Sequence, residues 1–421
     1  MPFEIEIKSL SDEGLGVGFL GRKKVYVPFS APGDLVRVYK TRRKKRKILA
    51  EEFEFLRRSD LVVDPTCPYA GKCGGCLLQH LPYDEQMRFK EAKLRRLLGM
   101  DIKVIPSPKI FGHRNRIDVV ISTSGIGFRR YGTWWDAVDI DHCPVFGDSS
   151  KRVLSSLREF IEDHEVTLYE IQKNEGFLRY IVLREGKFTG ELMVNLVTSP
   201  GELSEEFPDY FDYADSIYWS INRTPSDVSY GEIEKFWGEE YIKEKLGDVI
   251  YLIHPNSFFQ TNSYQAVNLV EVVSGFSEGE RILDLYSGVG TFGVYLAKRG
   301  FKVEGIEINP FAVEMARRNT ELNGVEADFK VGSDRDVESL SRYDTVVVDP
   351  PRAGLHPKLV GRILKDEPEN LIYVSCNPKT LARDLDELLK KYSVLDVVGL
   401  DMFPHTPHVE VVVKLGLNRN Q

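Results

Sequence analysis

From about residue 280 to the end of the chain, strand-like apolar runs alternate with helix-like segments, and nothing else in the sequence restricts the fold as much. The runs "RILDLY", "KVEGIEI", "ADFKVG", "YDTVVVDP" and "LIYVSC" are interleaved with "GTFGVYLAKRG", "PFAVEMARRNTELNG", "PKLVGRILKDE" and "PKTLARDLDELLKK". Strands joined through helices form a parallel sheet with right-handed crossovers, so a doubly wound α/β domain is predicted. The last two runs, "SVLDVVGLDMF" and "VEVVVKL", have no helix between them, which predicts an antiparallel final strand.

In an open sheet of this kind ligands lie beyond the carboxyl ends of the strands, and that rule gathers scattered residues onto one rim. Gly288, Gly290 and Gly293 of "DLYSGVGTFG" follow the first strand in G-x-G-x-x-G spacing, with Tyr286 and Thr291 in the same loop. Glu307 ends the second strand, where a carboxylate can hold ribose hydroxyls. Asp349 ends the fourth strand and Cys376 the fifth, and an antiparallel last strand starts at the same edge with Glu410. The glycine spacing suits a dinucleotide or S-adenosylmethionine and does not choose between them. Cysteine usually behaves as a small core hydrophobe. A thiol that shares a rim with two carboxylates and a nucleotide loop is hard to reconcile with a buried structural cysteine and points to a functional one.

Upstream the pattern differs. Residues 3–56 alternate apolar and polar in short runs broken by "DEGLGVGFLG" and "APGD", as in a small β-barrel. Residues 57–150 are loop-rich and hold four of the five cysteines around one helix, "YDEQMRFKEAKLRRLL", read as an amphipathic helix packed on a neighbouring domain, with its basic face an alternative RNA contact. Antiparallel strands are predicted over 166–255. Three domains are therefore expected, over 1–56, 57–250 and 251–421. The net charge of -8 argues against nucleic acid on average, yet residues 40–47, "KTRRKKRK", hold seven basic side chains. Such a run is either a solvated face or a phosphate-binding strip. No apolar stretch reaches the roughly 18 residues of a membrane span. The first ten residues lack a basic and apolar leader, so a cytoplasmic protein without membrane association is expected.

Cys67, Cys73 and Cys76 stand as C-x5-C-x2-C, and Cys143 follows 67 residues later. Four thiolates bind zinc or an iron-sulfur cluster, and disulfides are disfavoured in cytosol. The stretch "HRNR" offers Arg114 and Asn115 for phosphate or base contact, with turn stabilisation an equal reading of the Asn.

"DPPR" at 349–352, "SCNP" at 375–378, "DMFPHTPHVE" at 401–410 and "SFFQTN" at 257–262 together resemble the RNA uracil-C5 methyltransferase family, in sequence and in order. The N-terminal region is similar to that family's TRAM domain, an OB-like RNA-binding barrel. The resemblance implies an N-terminal TRAM barrel, a central α+β domain with a [4Fe-4S] cluster on Cys67, Cys73, Cys76 and Cys143, and a Rossmann-like S-adenosylmethionine methyltransferase domain. It makes Cys376 the nucleophile and Glu410 the base. It puts Gln260, Tyr286, Thr291, Glu307 and Asp349 at cofactor positions, with Phe258 for base stacking and Arg352 beside the substrate.

The chemistry accounts for the residue types. Uracil C5 attacks a methyl sulfonium only after a nucleophile has added at C6, and a base must then remove the C5 proton so that the nucleophile leaves. Expected partners are transfer RNA, at the T-loop uridine 54, or 23S ribosomal RNA. Six Gln beside abundant Lys and Glu, a heat-adapted bias, tilts the expectation to transfer RNA. A monomer is expected. A nicotinamide-dependent oxidoreductase, the main rival, leaves "SCNP", "DPPR" and Glu410 without roles. A noncatalytic RNA-binding protein requires Cys376 to be buried and inert.

Overall fold

The computed structural model describes residues 2–337 and 339–418. The N-terminal unit is a six-stranded sheet of β1 (Phe3–Glu6), β2 (Ser9–Leu10), β3 (Gly16–Leu20), β4 (Lys23–Val27), β5 (Leu35–Lys44) and β6 (Lys47–Arg57), ordered β1-β5-β6-β4-β3-β2. β1 and β2 are consecutive along the chain yet lie at opposite ends of that order, so the first segment closes the sheet on itself as a barrel. Ile5, Ile7, Val25, Val27, Val36 and Val38 fill it. Closure removes free sheet edges, which a domain this small otherwise has to protect.

α1 (Tyr83–Leu98) and β7 (Val104–Ile105) come next, followed by a seven-stranded central sheet. Its strands are β8 (Arg116–Ser122), β9 (Gly125–Arg129), β10 (Ala137–Asp139), β11 (Leu178–Glu185), β12 (Leu192–Thr198), β13 (Ser216–Ile221) and β14 (Glu232–Gly238), with α2 (Ser149–His164) inserted before β11. Apolar residues of α2, Val153, Leu154, Leu157 and Phe160, cover one face of this sheet together with Ile181, Leu183 and Val194.

A hairpin of β15 (Ile242–Leu246) and β16 (Val249–Ile253) leads into α3 (Ser263–Phe276), β17 (Arg281–Leu285), α4 (Thr291–Lys298), β18 (Lys302–Glu307), α5 (Pro310–Leu322) and β19 (Ala327–Val331). Then follow β20 (Thr345–Val348), α6 (Pro357–Asp366), β21 (Asn370–Ser375), α7 (Pro378–Leu388), β22 (Tyr392–Leu400) and β23 (Glu410–Leu417). The sheet order is β19-β18-β17-β20-β21-β23-β22-β7. The first five strands run parallel, and β23 pairs antiparallel with both β21 and β22. Alternate residues bury on opposite faces: Val347, Ile372 and Val412 in one core, Val346, Leu371 and Val411 in the other. That is why these strands read as unbroken apolar runs.

Two segments expected in the central domain belong spatially to the catalytic layer. β7 extends its sheet by pairing with Gly399 and Leu400, and the β15–β16 hairpin contributes Ile242, Leu246 and Tyr251 to its core. The amphipathic helix α1 packs on the neighbouring layer, as its pattern predicts, and that packing takes part of its basic face. Lys90 is fully buried in an ion pair with Asp401, which also accepts from Tyr83 Oη at 2.8 Å, and Lys93 Nζ donates to the Pro407 carbonyl at 2.7 Å. Only Arg88, Arg95 and Arg96 of that row reach solvent. Among the described residues no helix is long and apolar enough to cross a membrane.

Candidate active site

Two helices of the C-terminal sheet start at one rim, each from a short polar signal. Asn377 accepts from Lys379 N and Pro378 follows it, and Asn309 with Pro310 starts α5 in the same way. Asn is a good helix cap and Pro suits the first helical position, so "SCNP" is a helix start as well as a motif. It leaves Cys376 just before the amino end of α7, where the helix dipole favours a thiolate. The Asn377 side chain also donates to the Arg352 carbonyl at 2.9 Å, joining "SCNP" to "DPPR".

Pairing of Ser375 with Val411 places Cys376 and Glu410 on adjacent strand ends, with Asp349 on the next strand. Burial pushes the Cys376 thiol up to about 11, and the charges of Glu410 and Asp349 add to this while Arg352 opposes it. Glu410 is 4 % exposed; burial first, then Asp349, holds its carboxyl well above the usual range, against the pull of Arg352. Asp349 is pushed up to about 7 by burial. The Arg352 guanidinium lies 3.1 Å from His408 Nδ1. A cavity of about 260 Å³ opens at this point, lined by Cys376, Arg352, Lys379, His408 and, from the barrel, Asp12 and Glu13.

On the nucleotide side, Tyr286 adopts a left-handed backbone (φ 63°), as does Gly288 (φ 54°). A side chain at Gly288 would meet nothing within 4 Å, so this glycine keeps backbone open to a ligand, whereas one at Gly293 would strike Phe329 at 2.8 Å. Gly290 caps α4, and Thr291 is its first residue. Glu307 accepts from Gly288 N at 3.1 Å and Asn309 N at 2.9 Å. Tyr286 Oη donates to Asp334 at 2.8 Å. Asp284, fully buried at the end of β17, is pushed up to about 8 by burial although Gly293 N donates to it. Gln260 is buried in the segment before α3, and Phe258 beside it is 69 % exposed.

In the "HRNR" stretch, Asn115 is turned inward and Arg114 lines an internal cavity. The Asn115 amide donates to the Gln260 carbonyl at 2.7 Å and to Ser263 Oγ at 2.9 Å, so it fixes the "SFFQTN" segment. Arg114 lines a small cavity together with Cys67, Cys73, Cys76 and Cys143. Its buried Nε has no hydrogen-bond partner, and neither has Gln79 Nε2 on the same wall. Burial raises all four thiols, Cys76 to about 12 and Cys143 to about 11, while Arg114 opposes the shift at Cys73, Cys76 and Cys143. Among the described residues no three His, Cys, Asp or Glu side chains are grouped tightly enough for a single metal ion; the thiols surround a space instead of meeting at a point.

Sequence reasoning missed Asp12 and Glu13. Asp12 pairs with Arg96 and, at 3.1 Å, with Lys379; Glu13 pairs with Lys47 at 2.7 Å. The barrel therefore brings two carboxylates to the mouth of the Cys376 cavity, a contact across more than 350 residues that no local pattern signals. It also missed Ile308, 70 % exposed beside Glu307.

A doubly wound sheet with a glycine-rich first loop, an acidic second strand end and a thiol and carboxylate on adjacent strand ends has the architecture of a Rossmann-like methyltransferase. Family models agree: residues 3–61 match the TRAM domain of tRNA (uracil(54)-C(5))-methyltransferase, residues 327–418 match tRNA (Uracil-5-)-methyltransferase, and residues 258–368 match the TRM5/TYW2 methyltransferase domain. A tRNA (uracil(54)-C(5))-methyltransferase of Pyrococcus horikoshii is 59 % identical over 409 residues, covering 97 % of this chain and 98 % of the relative. A 23S rRNA (uracil(747)-C(5))-methyltransferase of Pyrococcus abyssi is 43 % identical over 411 residues, covering 97 % and 98 %. The crystal structure of the Pyrococcus abyssi tRNA (uracil-54, C5)-methyltransferase with S-adenosyl-L-homocysteine superposes with a TM-score of 0.91 at 58 % identity, covering 98 % of this chain and 99 % of that one. The chain belongs to the RNA uracil-C5 methyltransferase family.

Proposed function

We propose that this protein methylates C5 of uridine 54 in transfer RNA, with S-adenosylmethionine as methyl donor. The observation that carries the reading is the pairing of Cys376 and Glu410 on adjacent strand ends beside the glycine-rich loop. The difference between 59 % identity to the transfer RNA relative and 43 % to the ribosomal one, at equal coverage, favours transfer RNA.

The target uridine leaves its stack to reach the pocket, with Phe258 as a stacking surface and Arg352 beside the ring. The Cys376 thiol gives its proton to water in the solvent-open cavity, its sulfur bonds to C6, and the C5–C6 electrons move onto O4 as an enolate. C5 then takes the methyl of the sulfonium donor. Glu410 removes the C5 proton, the C6–S bond breaks and the double bond re-forms, with the thiolate as leaving group. A base whose affinity for protons is raised by burial suits this last step. Glu307 offers its remaining lone pairs to ribose hydroxyls, Ile308 gives an apolar wall for the purine, and Gln260, Tyr286, Thr291 and Asp349 line the rest of the donor site.

The four-thiol cavity fits a [4Fe-4S] cluster. Cys67, Cys73, Cys76 and Cys143 would hold it, and the unpartnered Arg114 Nε and Gln79 Nε2 are donors of the kind an anionic cluster requires. When bound it would cross-link a loop-rich segment. Residues 1–61 would act as the RNA-binding barrel. The test is labelled methyl transfer to purified transfer RNA and 23S ribosomal RNA in parallel, followed by mapping. Label at position 54 of transfer RNA is expected; label confined to ribosomal RNA would reassign the substrate.

A further inference from the structure

Two adjacent tryptophans, Trp134 and Trp135, are 57 % and 42 % exposed at the tip between β9 and β10. Their rings meet edge to face with centroids 5.7 Å apart. The tip that carries them is held firmly. Arg129 Nη1 donates to the Trp135 carbonyl at 3.1 Å, Thr133 Oγ1 to the Arg130 carbonyl at 3.1 Å, and Arg130 pairs with Asp136. Tyr131 packs edge-on against Phe29 of the barrel, and Arg42 of β5 donates to the Gly132 carbonyl. On the other side Tyr131 N bonds the Lys72 carbonyl. The exposure of the pair is thus built in, and large apolar groups displayed on a fixed surface mark an interaction site.

The neighbourhood indicates the partner. β5 touches the tip at Arg42 and continues into Arg43, Lys44, Lys45 and Arg46, which are exposed and make no ion pair among the described residues. On the inner side of Arg129 lies a cavity of about 400 Å³ lined by Phe128, Tyr180 and Tyr230, the last 61 % exposed. The acidic groups of the cavity and tip are already engaged: Asp227 by Arg129 at 3.0 Å and by Tyr180 Oη, Asp118 by Arg116 at 2.8 Å, and Asp136 by Arg130. Aromatic faces beside cations that lack acidic partners suit unpaired nucleotides, whose bases stack while their phosphates meet the cations. We propose that Trp134 and Trp135 form a stacking platform for an unpaired segment of the RNA substrate outside the methylation pocket, with Arg43 to Arg46 taking its phosphates. This rests on the RNA-methyltransferase reading and adds a second contact point to it.

The experiment uses the full chain and two probes, oligouridylate and a transfer RNA transcript. Stacking of about 1–3 kcal/mol per base corresponds to roughly 5- to 150-fold in affinity. W134A/W135A should therefore bind labelled oligouridylate at least tenfold more weakly by anisotropy, while W134F/W135F keeps most of the affinity. Wild-type tryptophan emission should be quenched by oligouridylate, and W134F/W135F should lose that quenching although Trp219 and Trp237 remain. In methyl transfer, W134A/W135A should raise the KM for transfer RNA with little change in kcat. Unaltered oligouridylate affinity and unaltered KM in W134A/W135A overturn the platform, and a change in sedimenting mass in that variant would assign the pair to a protein interface instead. A wild-type protein that methylates neither RNA overturns the functional reading, and the oligouridylate measurements then still decide the platform.

Discussion

Replacing Glu410 with Gln separates the two halves of the proposed reaction. The side chain keeps its shape and loses its basicity. Positioned general bases are worth about 10²–10⁴-fold. Glu410 is 4 % exposed, so bulk water has poor access as a substitute, and a loss of about 10³ in the elimination step is expected. Addition and methyl transfer need no base at C5 and should persist. Wild-type Glu410 also raises the Cys376 thiol through its charge, on top of burial; without that charge, adduct formation should occur at lower pH than in wild type. With donor labelled in the methyl group, E410Q should give a burst of one label per enzyme and a covalent enzyme–RNA species that survives denaturing electrophoresis. C376A should give neither label nor adduct. Sustained turnover by E410Q within about tenfold of wild type would refute the assignment and pass the base to Asp349 or a water.

Three further outcomes follow from particular side chains. Anaerobically purified protein should be brown, with about four irons and four sulfides per chain, and C76A should lose both; stoichiometric zinc without acid-labile sulfide would count against the cluster. Replacing Arg43, Lys44, Lys45 and Arg46 with Gln should flatten the slope of log affinity against log salt by up to about 3–4, at roughly 0.7–0.9 for each phosphate that is no longer neutralised, and an unchanged slope would make the run an ordinary solvated surface. Asp284 should make the protein less stable as pH rises. Its folded pKa, about 8, lies above its unfolded value of about 4, so its contribution is fully present below pH 4 and is lost as pH climbs through 8, at up to about 1.4 kcal/mol per unit. D284N should flatten denaturant-derived stability between pH 5 and 8, and equal slopes in the two proteins would contradict this.

The parts of the site that follow from period and rim rules could be read from sequence. Strand–helix alternation implied the sheet, the missing crossover implied an antiparallel β23, and together they put Glu410 opposite Cys376. What could not be read depends on pairings between distant segments. β7 has two residues and no period, and it is a strand only because Gly399 and Leu400 lie beside it. For Arg114 and Asn115 the string offered phosphate contact, or turn stabilisation by the Asn, and nothing local pointed to their partners. Their partners, a thiol cavity and the Gln260 carbonyl, lie on segments that the fold brings together.

The motif "DMFPHTPHVE" shows the same limit inside a recognisable string. As a motif it looks like one functional unit, yet the structure divides it by the partners its side chains meet. Asp401 is enclosed with Lys90 and Tyr83, and Gln86 bonds the His405 backbone N at 2.8 Å, so its first half clamps α1 onto the catalytic layer. His408 and Glu410 face the Cys376 side, next to Arg352. A buried ion pair stripped of one partner costs about 3–5 kcal/mol, because the other charge stays in an apolar interior. D401A should therefore lower stability by about that amount, leaving Lys90 without its counter-charge, and E410Q should leave stability nearly unchanged while stopping turnover. If D401A proved as stable as wild type but catalytically dead, the division would be wrong and Asp401 would belong with the reacting groups.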